Sequence, residues 1–352
     1  MSVLRLYPLR EPVSGRRYTL LKIVTESGLV GMGECGEVSA ADFAKATRIV
    51  AEKPATAYEV IRQHLLPWPG LQAAVNMALL DILGKKAQAP IYQVLGGPTR
   101  FKARSSAALE GETDAALATS MKRAHVAGHR AFLVPVPRVG APNQGQAFIQ
   151  ATRRRLDRLR EAGGDGVDFV LDGAGLLSAG DASSLAHELE RFHLLWFDEP
   201  CRLSTLSPAR KIASESVTAL GFGRHLHDPG AFQDLLREEV VDVLRPSLAL
   251  NGISQIRKMA ALAEAYYVAV APHHNGGPVA TAAALHLAAS LPNFFLQEIP
   301  LPVSEADRRM RSELVGASLE TVADGFAALP TGSGLGITLN EDALERYRER
   351  PA

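Results

Sequence analysis

Eight short apolar runs, each followed by a loop and a helix-patterned stretch, fill the chain from residue 103 to residue 298 and constrain its fold more than any other feature. They lie at 103–109 (ARSSAAL), 131–136 (AFLVPV), 168–172 (DFVLD), 194–198 (LLWFD), 218–223 (TALGFG), 242–246 (DVLRP), 267–271 (YVAVA) and 294–298 (FFLQE). Strands that alternate with helices pair in parallel through crossovers, and hairpins are excluded. Eight such units over about 200 residues match a closed α/β barrel in count and size. The competing layout, an open doubly wound sheet, is expected to carry a Gly-rich nucleotide loop after its first strand, and this chain has none.

The flanks read differently. Residues 18–25 (YTLLKIVT) and 29–34 (LVGMGE) form antiparallel strands about the turn Glu26-Ser27-Gly28, and 40–66 and 70–87 have helical patterning. The tail at 324–339 (DGFAALPTGSGLGITL) is rich in Gly and Pro, ends in a strand-like piece and precedes a short helix at 341–349. The expected division is an α+β capping unit over 1–100, the barrel over 101–320, and a C-terminal segment over 321–352 that packs back on the capping unit.

The 352 residues balance 38 Lys and Arg against 38 Asp and Glu, so no net field favours nucleic acid or an anionic membrane. The Arg153-Arg154-Arg155 run sits in a helical stretch and reads as a solvated face. Two cysteines, Cys35 and Cys201, suit a reducing compartment. The N-terminus lacks the roughly 7–15-residue apolar core of a signal peptide, and no run reaches the roughly 18 apolar residues of a membrane span. A cytoplasmic protein without membrane or nucleic-acid partners is expected.

In a barrel of this kind, chemistry sits at the C-terminal strand ends. Those ends carry Asp172, Asp198 with Glu199, Arg224 with His225, Arg245, His273 with His274, and Glu298. Asp172 to Asp198 and Asp198 to Arg224 are both intervals of 26 residues, which predicts matching heights on neighbouring strands. The plainer alternative is a set of helix N-caps, a role common for Asp. Converging carboxylates repel unless a cation lies between them. Mg²⁺ in an octahedron of oxygens is one solution; a guanidinium forked onto carboxylates is another. Arg224 points to the second.

Segments throughout the chain, from LLKIVTESGLVGMGE and AAVNMALLDILGKKAQAPIYQVLGG through DFVLDGAG, WFDEP, VAVAPHHNGGPVATAAALHLAAS and NFFLQE to DGFAALPTGSGLGI, resemble the enolase superfamily in its mandelate racemase-like branch, which includes acid-sugar dehydratases. The resemblance implies a modified (β/α)7β barrel with an N-terminal α+β capping domain, a common tendency to homo-oligomers, and lyase or isomerase chemistry by α-proton abstraction. It implies metal ligands at Asp172 and Asp198, but puts Arg224 where the third acidic ligand would stand. It puts Leu133 and Pro135 at the positions of a second-strand lysine pair, and Ser247 where an Asp would orient the base His273. Abstracting a proton α to a carboxylate builds up negative charge that needs cations nearby.

The expected catalytic residues are therefore His273, Glu298 and Arg224. Arg245, His225, His274 and Ser247 are expected to contact a small carboxylate substrate. Asp172 and Asp198 are expected to form a vestigial or weak metal site, with no cofactor needed and Mg²⁺ bound only if other ligands rescue it. The alternative is a catalytically silent barrel that binds a small carboxylate in a regulatory or structural role.

Overall fold

The computed structural model describes residues 3–51, 53–140, 143–316 and 319–349. The N-terminal unit is an antiparallel sheet of β1 (Val3–Arg10), β2 (Arg17–Val24) and β3 (Val30–Cys35), followed by α1 (Ala40–Val50), α2 (Tyr58–His64), α3 (Pro69–Lys86) and α4 (Ile91–Val94). The sequence pattern supplies β2, β3 and the helices but not β1. Pro8 interrupts the donors of β1 and argues against a strand there, and β1 tolerates it because it lies at the sheet edge.

The eight apolar runs become the parallel strands β4 (Lys102–Ala108), β5 (Ala131–Pro135), β6 (Asp168–Asp172), β7 (Trp196–Asp198), β8 (Leu220–Phe222), β9 (Val243–Leu244), β10 (Ala269–Val270) and β11 (Gln297–Glu298). Between and after them lie α5 (Asp114–Val126), α6 (Gly145–Gly163), α7 (Ala179–Glu188), α8 (Ser207–Glu215), α9 (Pro229–Arg237), α10 (Leu248–Ala265), α11 (Pro278–Ser290) and α12 (Glu305–Val315). Neighbouring strands pair in sequence from β4 to β10, and β11 pairs with β4. A single parallel bridge, Val270 to Phe294, joins β10 to the chain just ahead of β11. This is a barrel-like arrangement with an N-terminal cap, as the resemblance implied. The chain ends in the hairpin β12 (Val322–Ala323) and β13 (Phe326–Ala328), whose second strand pairs with β4, and in α13 (Glu341–Tyr347). Among the described residues no helix is long and apolar enough to cross a membrane. Cys35 and Cys201 are both free and buried.

The cap and barrel share α3. This helix is buried on nearly every side, between β3 and α10, so it shows no apolar stripe. Gly31 and Gly33 permit the approach: a Cβ on either would stand about 2 Å from the Ala78 or Ala74 carbonyl oxygen. Inside the joint, the buried Asp81 carboxylate accepts the backbone N–H groups of Met32 and Leu335 and the Lys85 ammonium.

A second joint lies nearer the strand ends. Glu34 of β3 accepts the backbone N–H groups of Gly277 and Ala280 (3.0 Å for the latter) at the start of α11, where unpaired amides and the helix dipole favour an anion. Burial pushes its carboxyl up to about 7 despite those donors. A carboxyl raised on folding gives stability that is fully present below its unfolded value and is lost as pH rises through its folded value. Glu34→Ala should therefore cost more at pH 5 than at pH 8, by on the order of 1–3 kcal/mol. Urea unfolding of both proteins at the two pH values measures this, and an equal cost at both refutes it.

Candidate active site

The register of the parallel strands sets the geometry of the barrel mouth. Asp172 of β6 pairs with Asp198 of β7, so the 26-residue interval does place these two carboxylates side by side. It does not place Arg224, because Asp198 pairs onward with Gly221, three residues earlier. β8 ends at Phe222, and the chain then turns at Gly223 with φ of 130°. The long side chain of Arg224 folds back over the two acids. Its Nη2 and Nη1 donate to the two Asp172 oxygens at 2.5 and 3.1 Å, and its Nε lies 3.4 Å from Asp198 Oδ2 without hydrogen-bond alignment. Glu199 fixes that turn. Its Oε1 accepts the N–H groups of Gly223 (2.6 Å) and Arg224 (2.7 Å), and its own backbone takes the left-handed φ of 42° that non-glycine residues rarely adopt.

Beneath this pair lies a second ion cluster. Asp198 is fully buried, and its Oδ1 accepts Trp196 Nε1 and Arg245 Nε, both at 2.9 Å. Arg245 is 1% exposed, donates to the Ala271 carbonyl at 2.6 Å and stacks over Trp196. Most of the Arg245 guanidinium is committed to Asp198 and Ala271, while Nη2, 3.6 Å from Glu298, has no hydrogen-bond partner.

His273 Nδ1 meets Glu298 Oε2 at 3.0 Å, while Ser247 is tied to His273 only through backbone pairing. The partner that the missing Asp would have supplied thus comes from β11. Burial alone would raise the Glu298 carboxyl; His273 and the guanidinium groups of Arg245 and Arg224 outweigh it and hold it at about 2. An ionised Glu298 keeps the Nδ1 proton, which leaves Nε2 to act in the cavity.

A cavity of about 180 Å³ between cap and barrel is lined by His273 and Ser247 from the barrel and by Arg16, Tyr18 and Glu34 from the cap. Tyr18 is buried and its hydroxyl lacks a hydrogen-bond partner. Sequence reasoning by resemblance points to the cap loops near residues 10–20 and 34–45 but names none of these residues individually, because their distance from the strand ends hides them. His274 also lines the cavity, but its Nε2 bonds Thr281 Oγ1 (2.8 Å) and its Nδ1 accepts the Gly276 N–H (3.2 Å). Burial and then Arg311 push it down to about 3, so its expected role in binding substrate is replaced by that of a neutral structural histidine. His225 stands exposed at the rim, its basicity lowered first by partial burial and then by Arg224 and His273.

The comparisons with known proteins bear on this site. Residues 9–96 match the mandelate racemase/muconate lactonizing enzyme N-terminal domain, and residues 116–343 match the enolase C-terminal domain-like family. The chain belongs to the enolase superfamily. It is 30% identical over its whole length to a D-galactonate dehydratase of Verminephrobacter eiseniae, covering 96% of that protein. It is 29% identical to one from Xanthomonas campestris pv. campestris, over 95% of this chain and 92% of that one. A mandelate racemase/muconate lactonizing enzyme-like protein from Roseovarius sp. TM1035 superposes with a TM-score of 0.89 at 24% identity, covering 99% of this chain and 96% of that one. An enolase from Agrobacterium radiobacter bound to sodium and L-malate has the same TM-score and identity, covering 99% and 95%.

That last structure overturns the expectation that no cofactor is needed, because a barrel of this superfamily holds a cation together with a carboxylate. Charge gives the physical reason. Asp172, Asp198 and Glu298 outnumber Arg224 and Arg245 by one formal negative charge, and an enediolate adds more. The described donors are nevertheless not arranged for an ion. No three His, Cys, Asp or Glu side chains among the described residues gather as a metal-binding group, and Arg224 lies on both acids.

Arg224 is the only cation that touches both Asp172 and Asp198 among the described ion pairs. Removing one member of a buried ion cluster leaves the rest uncompensated. Arg224→Met should therefore lower unfolding stability by about 3–5 kcal/mol. Chemical denaturation at neutral pH measures it, and a loss below about 1 kcal/mol would show that the acids are screened some other way.

Proposed function

We propose that this protein dehydrates a small hydroxy-carboxylate or acid sugar by abstracting the proton α to its carboxylate. The observation that carries the reading is the His273–Glu298 pair, which anchors Nδ1 at 3.0 Å and leaves Nε2 for the cavity. Nε2 takes the α-proton, and the ionised Glu298 stabilises the imidazolium that forms. The electron pair moves into the carboxylate as an enediolate, in a cavity whose wall includes Arg16. The β-hydroxyl then departs with the proton from Nε2, as water.

Dehydration is favoured over racemisation because inversion needs a second proton carrier on the opposite face. At the positions where the resemblance would place lysines, this barrel carries Leu133 and Pro135, which cannot move a proton. The D-galactonate dehydratase relatives support the same choice of outcome and substrate class. The cavity of about 180 Å³ lies below the roughly 300–1,000 Å³ of drug-sized sites, which suits a short, polar substrate. A second reading, a silent barrel that binds a carboxylate, is favoured by one observation: Arg224 is already forked onto Asp172.

Exchange of the α-proton in D2O, followed by proton NMR over a panel of acid sugars that includes D-galactonate, separates the two readings. The expected result is exchange or product formation with at least one acid. His273→Asn should lower the rate by about 10²–10⁴-fold. Glu298→Gln should lower kcat more than it raises KM and shift the pH profile, since the amide keeps the hydrogen bond but not the charge. No exchange with any acid, or full activity of His273→Asn, refutes the enzymatic reading.

A further inference from the structure

A second cavity, about 380 Å³ and so roughly twice the volume of the one at the mouth, lies between α5, α12 and the segment leading into β12. Its apolar wall includes Leu301, Leu319 and Val322, and three guanidinium groups reach it, from Arg123, Arg308 and Arg311, against a single carboxylate, Glu320. Arg311 and Glu320 have no capacity to spare. Arg311 donates to Glu11, to both Glu320 oxygens and to the Gly276 carbonyl, and Glu320 also accepts the Thr281 hydroxyl. These two form a neutral floor.

The other two arginines are available. Arg123 Nε is buried without a hydrogen-bond partner, and the group's nearest acid, Glu110, is 3.5 Å from Nη2. Arg308 pairs only with Glu305 three residues before it, in an exposed contact of the kind that contributes little. A cavity with an apolar wall, two arginines held only by partly exposed ion pairs and an unpartnered buried donor calls for an anion with a carbon chain.

We infer that this cavity binds a small organic monocarboxylate, its carboxylate bridging Arg123 and Arg308 and its chain lying on Leu301, Leu319 and Val322. A carboxylate matches the fork of Arg123, whereas a phosphate brings a second charge and a hydration shell that the apolar wall does not serve. The site is distinct from the mouth but joined to it twice. Glu110 lies between Arg123 and Arg16, the latter 3.9 Å away and part of the mouth cavity. The floor continues from Glu320 through Thr281 to His274, next to His273. An occupant that draws Arg123 from Glu110 leaves that acid to Arg16, so the two sites are coupled, and the coupling is reciprocal.

Isothermal titration with sodium hexanoate and, separately, sodium phosphate tests this on the full chain. Wild type and His273→Asn should bind hexanoate with equal affinity. The Arg123→Gln/Arg308→Gln double variant should bind it at least tenfold more weakly, and Ser312→Trp, which fills the cavity while keeping all three arginines, should do the same. Overturning results are no saturable hexanoate binding to wild type, unchanged affinity in the double variant, loss of binding in His273→Asn, or phosphate binding tenfold more tightly than hexanoate. Because His273→Asn silences the proposed chemistry without touching this cavity, failure here is distinguishable from failure of the dehydratase reading.

Discussion

Two carboxylates on adjacent parallel strands, level with one another, are the constraint around which the barrel mouth is organised. Asp172 and Asp198 pair in register, so neither can retreat from the other without breaking the sheet. Positive charge must therefore be brought to them. Arg224 brings it from above, from a loop whose backbone is pinned by Glu199, and Arg245 brings it from below, with Trp196 packed against its face. Arg245 in turn reaches Glu298, and Glu298 anchors His273. His273 is thus one end of a chain of charges that starts from the repulsion between two aspartates.

That chain explains what was legible in the sequence. Strand positions were, because eight apolar runs repeat at barrel spacing, and so was the neighbourhood of Asp172 and Asp198, because equal βα lengths translate directly into register. Arg224 kept the interval but lost the register: a turn at Gly223 takes it off β8, and only its side-chain length returns it to the acids. The partner of His273 was not legible either. Glu298 lies 25 residues further along, and sequence spacing does not record which side chain on a neighbouring strand leans toward which. His274 looks like a ligand at a strand end, yet both its ring nitrogens are used inside the protein, and Arg245 likewise turns Nε and Nη1 inward, which only burial reveals.

The cofactor expectation failed for a different reason. It treated the guanidinium of Arg224 as a substitute for the metal's charge between two carboxylates. Charge must be counted over all the ion-paired groups: Asp172, Asp198 and Glu298 against Arg224 and Arg245 leave those five formally negative by one. A cation would restore that balance, and the Agrobacterium radiobacter structure is bound to sodium and L-malate.

The cap closes the argument, because the cavity does not exist without it. Arg16, Tyr18 and Glu34 supply one wall and the loop that carries His273 and His274 supplies the other. The two are held together by buried charges. Glu34 accepts amides at the start of α11, and Glu11 of the cap meets Arg311 of α12 at 2.6 Å. Arg311 then donates to the Gly276 carbonyl, two residues from His274. Buried ionic contacts fix geometry better than they add stability, since desolvation consumes most of their attraction. Here the geometry they fix is the distance between the cap wall and the base. A cap that shifted would leave Arg311 with an unpaired buried partner, so the position of the His273 loop and the docking of the cap are set by the same side chain.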